Sequence, residues 1–212
     1  MIIDLFINGK KIQAETAPDQ MLIDFLRGLG YKSMKRGCDT GNCGLCTVWM
    51  DEKPVLSCSV PAARAAGHKI TTLEGVQEEA AEFSDYLANE GADQCGYCSP
   101  GLIMNVLALK REIPNPTMAQ IKEYLSGNFM QMHRISGTVP RPCKIFWSGG
   151  VVRKMENTRF VNKGIVKKDA KALLSGRPVY TDDIAPSGCL VVKLLRSPHA
   201  HAWIENIQQQ RH

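Results

Sequence analysis

Three cysteines, Cys38, Cys43 and Cys46, fall at the spacing C-x4-C-x2-C within the run Lys35-Arg36-Gly37-Cys38-Asp39-Thr40-Gly41-Asn42-Cys43-Gly44-Leu45-Cys46, and Cys58 follows after eleven further residues. Four thiolates in this order are the plant-type ligand pattern for two bridged irons, a [2Fe-2S] cluster. The residues between the thiols fit the same chemistry, because a loop that wraps a cluster must turn backbone N–H groups inward to the sulfurs. Gly37, Gly41 and Gly44 can take φ > 0 without a Cβ clash, and inward N–H groups stabilise the more negative, reduced cluster. A zinc site also uses four cysteines, but its ordinary form is two short Cys-x2-Cys hooks far apart. A disulfide framework fits less well, since no signal peptide precedes the loop and an intracellular chain keeps its thiols reduced.

A second motif, Gln94-Cys95-Gly96-Tyr97-Cys98-Ser99-Pro100-Gly101, sets two thiols just ahead of a helix that Ser99 can cap and Pro100 can start. The positive end of that helix is expected to lower the cost of a thiolate. By itself a Cys-x2-Cys pair fits a redox dithiol, half a zinc site or half a cluster site equally well. Cys143 and Cys189 stand apart from both motifs, and Cys189 reads as a buried or idle thiol.

The elements that must position these loops are legible around them. Ile2 to Ile7 is β-branched and apolar, Asn8-Gly9 is a strong hairpin turn, and Lys10 to Thr16 returns as the partner strand. Asp19 then caps a helix through Met21 to Arg27, with Leu22, Phe25 and Leu26 on one face and Gly28 or Gly30 at its end. Beyond the first cysteine loop, Thr47 to Met50 and Val55 to Val60 form a second hairpin that carries Cys58 back toward the other thiols. His68 to Leu73 adds one more strand. The expected fold is α+β: a β-grasp, plant-type ferredoxin-like domain over 1–75, then a small all-α domain over 76–147. Helices are predicted from Val76 to Asn89 and Leu102 to Arg111, and a third is opened by a Thr117/Gln120 capping box. A basic linker over 148–164 and an incomplete segment over 165–212 follow.

The 212 residues are 44% apolar and 22% charged, ordinary for a globular chain. Much of the net charge of +5 lies between Arg153 and Lys171, without the interleaved aromatic residues that nucleic-acid binding would want, so a solvated linker is the reading. No apolar run approaches a membrane span, and Met1-Ile2-Ile3-Asp4 begins a strand and not a leader. The expectation is a cytoplasmic protein with neither a nucleic-acid nor a membrane partner.

Taken together, Gly37-Cys38-Asp39 through Cys46, the Gln94 to Gly101 motif and Leu125-Ser126-Gly127-Asn128 resemble the iron–sulfur part of the molybdenum hydroxylases, the xanthine dehydrogenase and aldehyde oxidoreductase family. The resemblance implies two [2Fe-2S] clusters, the outer one held by Cys38, Cys43, Cys46 and Cys58. Cys95 and Cys98 would help hold the other, nearer a molybdenum-pterin cofactor such as the cytosine dinucleotide form, with Gln94 facing the pterin. It also implies an electron-transfer role: the hydroxylation itself belongs to the molybdenum centre, whose electrons pass through the clusters to an acceptor. Lys168 to Asp183 and Leu195 to Ala202 are similar to the opening of the family's large molybdenum-binding subunit, as in a fused chain cut short. His199 and His201 are structural in that reading. No flavin-binding segment is visible, so the acceptor would be a separate FAD subunit or an external molecule. A stand-alone [2Fe-2S] carrier and a zinc-stapled binding module are the rivals; the large-subunit-like residues oppose the first.

One departure from the family is plain. Leu125-Ser126-Gly127-Asn128 should run into a Cys-x-Cys pair that completes the second cluster, and here Phe129-Met130-Gln131-Met132-His133 follows. Those residues must be encoded TTY ATG CAR ATG CAY. Shifted by one nucleotide, the same bases read TYA TGC ARA TGC AY, in which the Cys-x-Cys returns. A one-nucleotide insertion near Asn128, compensated between about Pro140 and Gly150, accounts for the change; a loop that diverged without ever binding a cluster is the rival. The end at Gln208-Gln209-Gln210-Arg211-His212 fits a further shift. Sequencing the locus from an independent sample is expected to show the Cys-x-Cys in frame; a repeat of the same bases with no open frame downstream in any register would defeat the idea of a longer original gene.

Overall fold

The computed structural model describes residues 1–89, 93–128 and 165–178, and scattered positions between 180 and 203. The backbone divides into two units, Met1–Pro178 and Val179–His212, and both cysteine motifs lie in the first. Strand β1 (Ile2–Ile7) buries Ile3, Leu5 and Ile7 and turns the alternate residues outward, the period of a half-buried strand. It pairs antiparallel with β2 (Lys10–Glu15), Ile7 facing Lys10. The two turn residues both take positive φ, Asn8 at 50° and Gly9 at 79°, the handedness that matches strand twist in a two-residue hairpin.

Helix α1 (Leu22–Gly28) buries Leu22, Ile23, Phe25 and Leu26. Its start differs from expectation: Met21, not Asp19, is the N-cap, and no side chain caps it. Tertiary pairing replaces the cap, since Met21 bridges to Pro61 and the Leu22 N–H donates to the Val60 carbonyl at 2.7 Å. Its end is a Schellman turn, with Gly30 at φ 95° and the Tyr31 N–H reaching back to the Leu26 carbonyl.

Strands β3 (Thr47–Met50) and β4 (Lys53–Leu56) make the second hairpin, and β5 (Lys69–Thr71) lies between the hairpins, parallel to β1 and antiparallel to β3. The sheet order is β2-β1-β5-β3-β4. Strand β4 stops at Leu56, short of the predicted Val60, and Cys58 sits on a 3-10 turn, Ser57–Ser59. Leu5, Ile7, Leu22, Leu26, Val48 and Ile70 form the core of this α+β half.

Helices α2 (Gln77–Asn89), α3 (Ser99–Glu112) and α4 (Met118–Tyr124) build the other half. The predicted capping box opens α4, the Gln120 N–H donating to the Thr117 hydroxyl while the Gln120 side chain accepts from the Thr117 N–H. Ser99 proves to lie inside α3, with Cys98 at its N-cap. From Ser99 to Leu109 only Asn105 of α3 is not buried, the mark of a helix covered on all sides. A short helix, α5 (Ala170–Leu174), packs on α2 and α3 with Ala170 and Leu174 in the same core.

Trp49 ties the two halves together. It comes from β3 yet is 1% exposed inside the helical core, where its indole N–H donates to the Met104 carbonyl at 3.0 Å. The Arg111 guanidinium stands 4.2 Å from the ring centroid and forks onto Glu79. Trp49→Phe keeps an aromatic ring but removes this bond and part of the volume, and is expected to cost about 1–3 kcal/mol in urea unfolding. An unchanged midpoint would show that the seam is held elsewhere.

Candidate metal centre

The first cysteine loop is fastened at both ends before any metal is considered. The Lys35 N–H donates to the Leu45 carbonyl at 3.2 Å, and the Thr47 hydroxyl donates to the Gly44 carbonyl at 2.7 Å. Ser57, fully buried, gives its hydroxyl to the Cys46 carbonyl at 2.7 Å and so holds the turn bearing Cys58 beside Cys46.

Within this frame the thiols stand in two neighbouring pairs, Cys38 hydrogen-bonded with Cys43 and Cys46 with Cys58, and the charges of Cys43 and Cys46 are felt between pairs. Backbone N–H groups converge on them. The Asn42 N–H, then the Cys43 thiol and the Thr40 N–H, hold Cys38 down at about 6. Burial pushes Cys43 up, against N–H groups from Leu45 and Gly37. Burial also pushes Cys46 up, to about 12, opposed by the Cys58 N–H.

Gly41 and Gly44 take φ of 68° and 72°, as the wrap requires. Gly37 does not have positive φ; it is needed for space, since a Cβ there would stand 2.6 Å from Leu45 Cδ2 and 3.4 Å from the Cys43 sulfur. A cavity of about 290 Å³ opens between Gly37, Cys38, Asn42, Cys43 and Leu45. Among the described residues no three His, Cys, Asp or Glu side chains are grouped to hold a single metal ion. Soft donors in two adjacent pairs, with N–H groups aimed at the sulfurs, fit a two-iron cluster better than one tetrahedral ion.

The second motif is brought to the end of α3, with Cys98 half-buried and Cys95 exposed. The expected benefit of the helix end does not prevail at Cys98: burial, then the neighbouring charge of Cys95, raises its thiol. Gln94 is exposed, and its carbonyl accepts from the Lys167 ammonium at 2.6 Å. Phe129 to His133, Cys143, the 148–164 linker, His199 and His201 lie outside the described residues. Cys189 is an exposed thiol, not a buried one.

Sequence reasoning missed the residues that join the two loops. A Cβ on Gly101 would run into the Gly44 carbonyl oxygen and stand 2.8 Å from the Leu45 Cα, so the start of α3 lies directly on the first cysteine loop. Asn105 gives its amide to Asn128 Oδ1 at 2.7 Å and to the Thr47 hydroxyl at 3.2 Å, and buried Asn128 reaches the Gly44 carbonyl at 3.5 Å. The Tyr97 hydroxyl donates to the Arg36 carbonyl at 3.1 Å. An asparagine within an otherwise apolar helix was the available signal for this seam.

Alkylation of the metal-free chain tests the electrostatics. Because its N–H donors stabilise the thiolate, labelling of Cys38 is expected to rise through about pH 6 and level off above it, while Cys46 resists until strongly alkaline pH. Peptide mapping that placed the Cys38 inflection near the ordinary thiol value would contradict the N–H cage.

A family model for 2Fe-2S iron-sulfur cluster binding domains matches residues 5–82, and one for [2Fe-2S] binding domains matches residues 72–134. The nicotinate dehydrogenase small FeS subunit of Eubacterium barkeri is 40% identical over 129 residues, which cover 59% of this chain and 82% of that protein. The xanthine dehydrogenase iron-sulfur-binding subunit of Escherichia coli is 41% identical over 131 residues, covering 59% and 82%. Among solved structures, the aldehyde oxidoreductase of Desulfovibrio desulfuricans superposes with a TM-score of 0.70 at 27% identity, over 86% of this chain and 22% of the other. Quinoline 2-oxidoreductase of Pseudomonas putida 86 superposes with a TM-score of 0.61 at 33% identity, over 70% and 91%. The chain belongs to the [2Fe-2S] iron–sulfur proteins of the molybdenum hydroxylase family, the family of xanthine dehydrogenase and aldehyde oxidoreductase.

Proposed function

We propose that this chain is the electron-transfer part of a molybdenum-pterin hydroxylase, with Cys38, Cys43, Cys46 and Cys58 as the ligands of its one complete [2Fe-2S] site. The observation that carries the ligand assignment is the convergence of backbone N–H groups from Thr40, Asn42, Cys43 and Leu45 on paired thiols. When bound, such a cluster takes up and releases one electron. The chain's own work is to supply thiolates, to lower the cost of their charge with fixed N–H dipoles and to limit solvent around Cys43 and Cys46, both buried.

Cys95 and Cys98 are the remaining half of a second site, with Gln94 beside it facing the pterin. Two thiolates cannot complete the ligand set of a two-iron cluster, so this pair is not expected to hold one stably alone. The partners are a molybdenum-pterin domain or subunit, with a FAD subunit or an external acceptor beyond it. The domain plan is that of the sequence reading: 1–75 ferredoxin-like, 76–147 helical, 148–164 a linker and 165–212 the start of the molybdenum-binding part. No described helix is long and apolar enough to cross a membrane, and the cytoplasm is the proposed location.

Anaerobic reconstitution is expected to give about two irons per chain, a plant-ferredoxin-like spectrum and a potential near about −400 mV. Cys43→Ser should abolish that signal. Its survival in the variant would reject the ligand set, and about four irons with two distinct paramagnetic signals would reject the half-site.

A further inference from the structure

Residues 165–178 have no part in the thiol chemistry, yet they are bound tightly to the iron–sulfur unit. Ala170 and Leu174 are 0% exposed and Leu173 is 7% exposed, burial typical of a core and not of a linker. The fit is close at two glycines. A Cβ on Gly96, between Cys95 and Cys98, would stand 2.6 Å from the Leu173 Cβ, and Gly96 already carries φ 71°. A Cβ on Gly176 would stand 2.9 Å from the Ser33 Cβ and 3.2 Å from Leu73 Cδ2, so the same segment reaches the ferredoxin-like half.

Polar contacts fix the register. Lys167 donates to the Gln94 carbonyl at 2.6 Å, immediately before Cys95, and Gln77 of α2 donates to the Ser175 carbonyl at 3.2 Å. Glu78 and Asp85 of α2 and Lys171 and Arg177 of the segment line one groove of about 410 Å³, so both signs of charge meet there. Backbone approach, apolar burial and charge therefore all act along one short stretch.

We propose that residues 165–178 are a clasp that closes over the Gln94 to Cys98 loop, the loop being the seat by which the molybdenum-binding side of the enzyme grips the iron–sulfur unit. This rests on the reading of residues from about 165 onward as the start of the molybdenum-binding part. The occupant of the seat is this chain's own segment: Leu173 lies on Gly96, Lys167 holds the carbonyl of Gln94, and Gly176 lets the strand of chain leave past Ser33 and Leu73. The clasp positions the loop; it supplies no ligand.

Hydrogen exchange on the full chain tests the clasp. In Leu173→Glu, peptides spanning residues 93–98 are expected to exchange at least about fivefold faster while those spanning 38–58 keep the wild-type rate. Lys167→Met, which leaves the apolar core intact, should give a smaller rise confined to the same loop. A synthetic peptide of residues 165–178 added to Leu173→Glu should restore protection. Unchanged loop exchange in Lys167→Met, or no rescue by the peptide, overturns the clasp, and the Lys167→Met and peptide results decide the matter if Leu173→Glu loosens the whole chain. Iron content of the same samples separates this from the functional reading: two irons with no loop response sinks the clasp alone, and a loop response without iron sinks the cluster assignment alone.

Discussion

The closeness of two stretches of backbone governs this structure. The first turn of α3 lies on the Gly44-Leu45 segment with no room for a methyl group at Gly101, and the Gly44 carbonyl accepts from the Thr47 hydroxyl while a Cβ on Gly44 would stand 2.6 Å from Asn128 Nδ2. The first cysteine loop and the first turn of α3, from different halves of the chain, can therefore meet with no side chain at Gly101 between them. The rest of the seam follows from holding that approach: Trp49 inserted into the helical core, Asn105 bridging Thr47 and Asn128, Tyr97 tied to Arg36. A partly buried polar seam of this kind fixes register more than it adds stability, because each shielded amide must find its partner or carry a desolvation cost.

The thiols show two opposing effects. Burial alone makes thiolates expensive, which is visible at Cys43, Cys46 and Cys98. Backbone N–H groups lower that cost, and they prevail where burial is slight, at Cys38. A cluster site needs both, since solvent must be limited and negative charge still stabilised. The first loop offers the combination, with glycines letting the N–H groups face inward. At Cys98 the residue's own backbone N–H opposes burial, but burial prevails.

Much of this was legible from local pattern. The C-x4-C-x2-C spacing, the Asn8-Gly9 hairpin and the Thr117/Gln120 box depend on residues near one another in sequence, so their chemistry can be read directly. Several misreadings are cases where a residue outside the local pattern decided the outcome. Asp19 lost the cap of α1 because Met21 and Leu22 pair with Pro61 and Val60. Cys58 left its strand because Ser57 bonds back to Cys46. Gly37 proved to be about space beside Leu45 and Cys43, not backbone handedness. The Gly101 contact and the packing of α5 had no local signature; only the small residues Gly96 and Gly176 hinted that something would lie against them.

The second cysteine loop carries features that a merely structural loop would have no use for. Cys95 is exposed, so core packing does not explain a cysteine there. Cys98 occupies the N-cap of α3, where Ser, Thr, Asn or Asp would satisfy a backbone N–H, and it makes no side-chain cap bond. Half-burying a thiol at that place gives up the side-chain cap. These choices are consistent with a loop shaped for metal ligation. Asn128 closes the same seam from its far end, accepting from the Asn105 amide and donating to the Gly44 carbonyl.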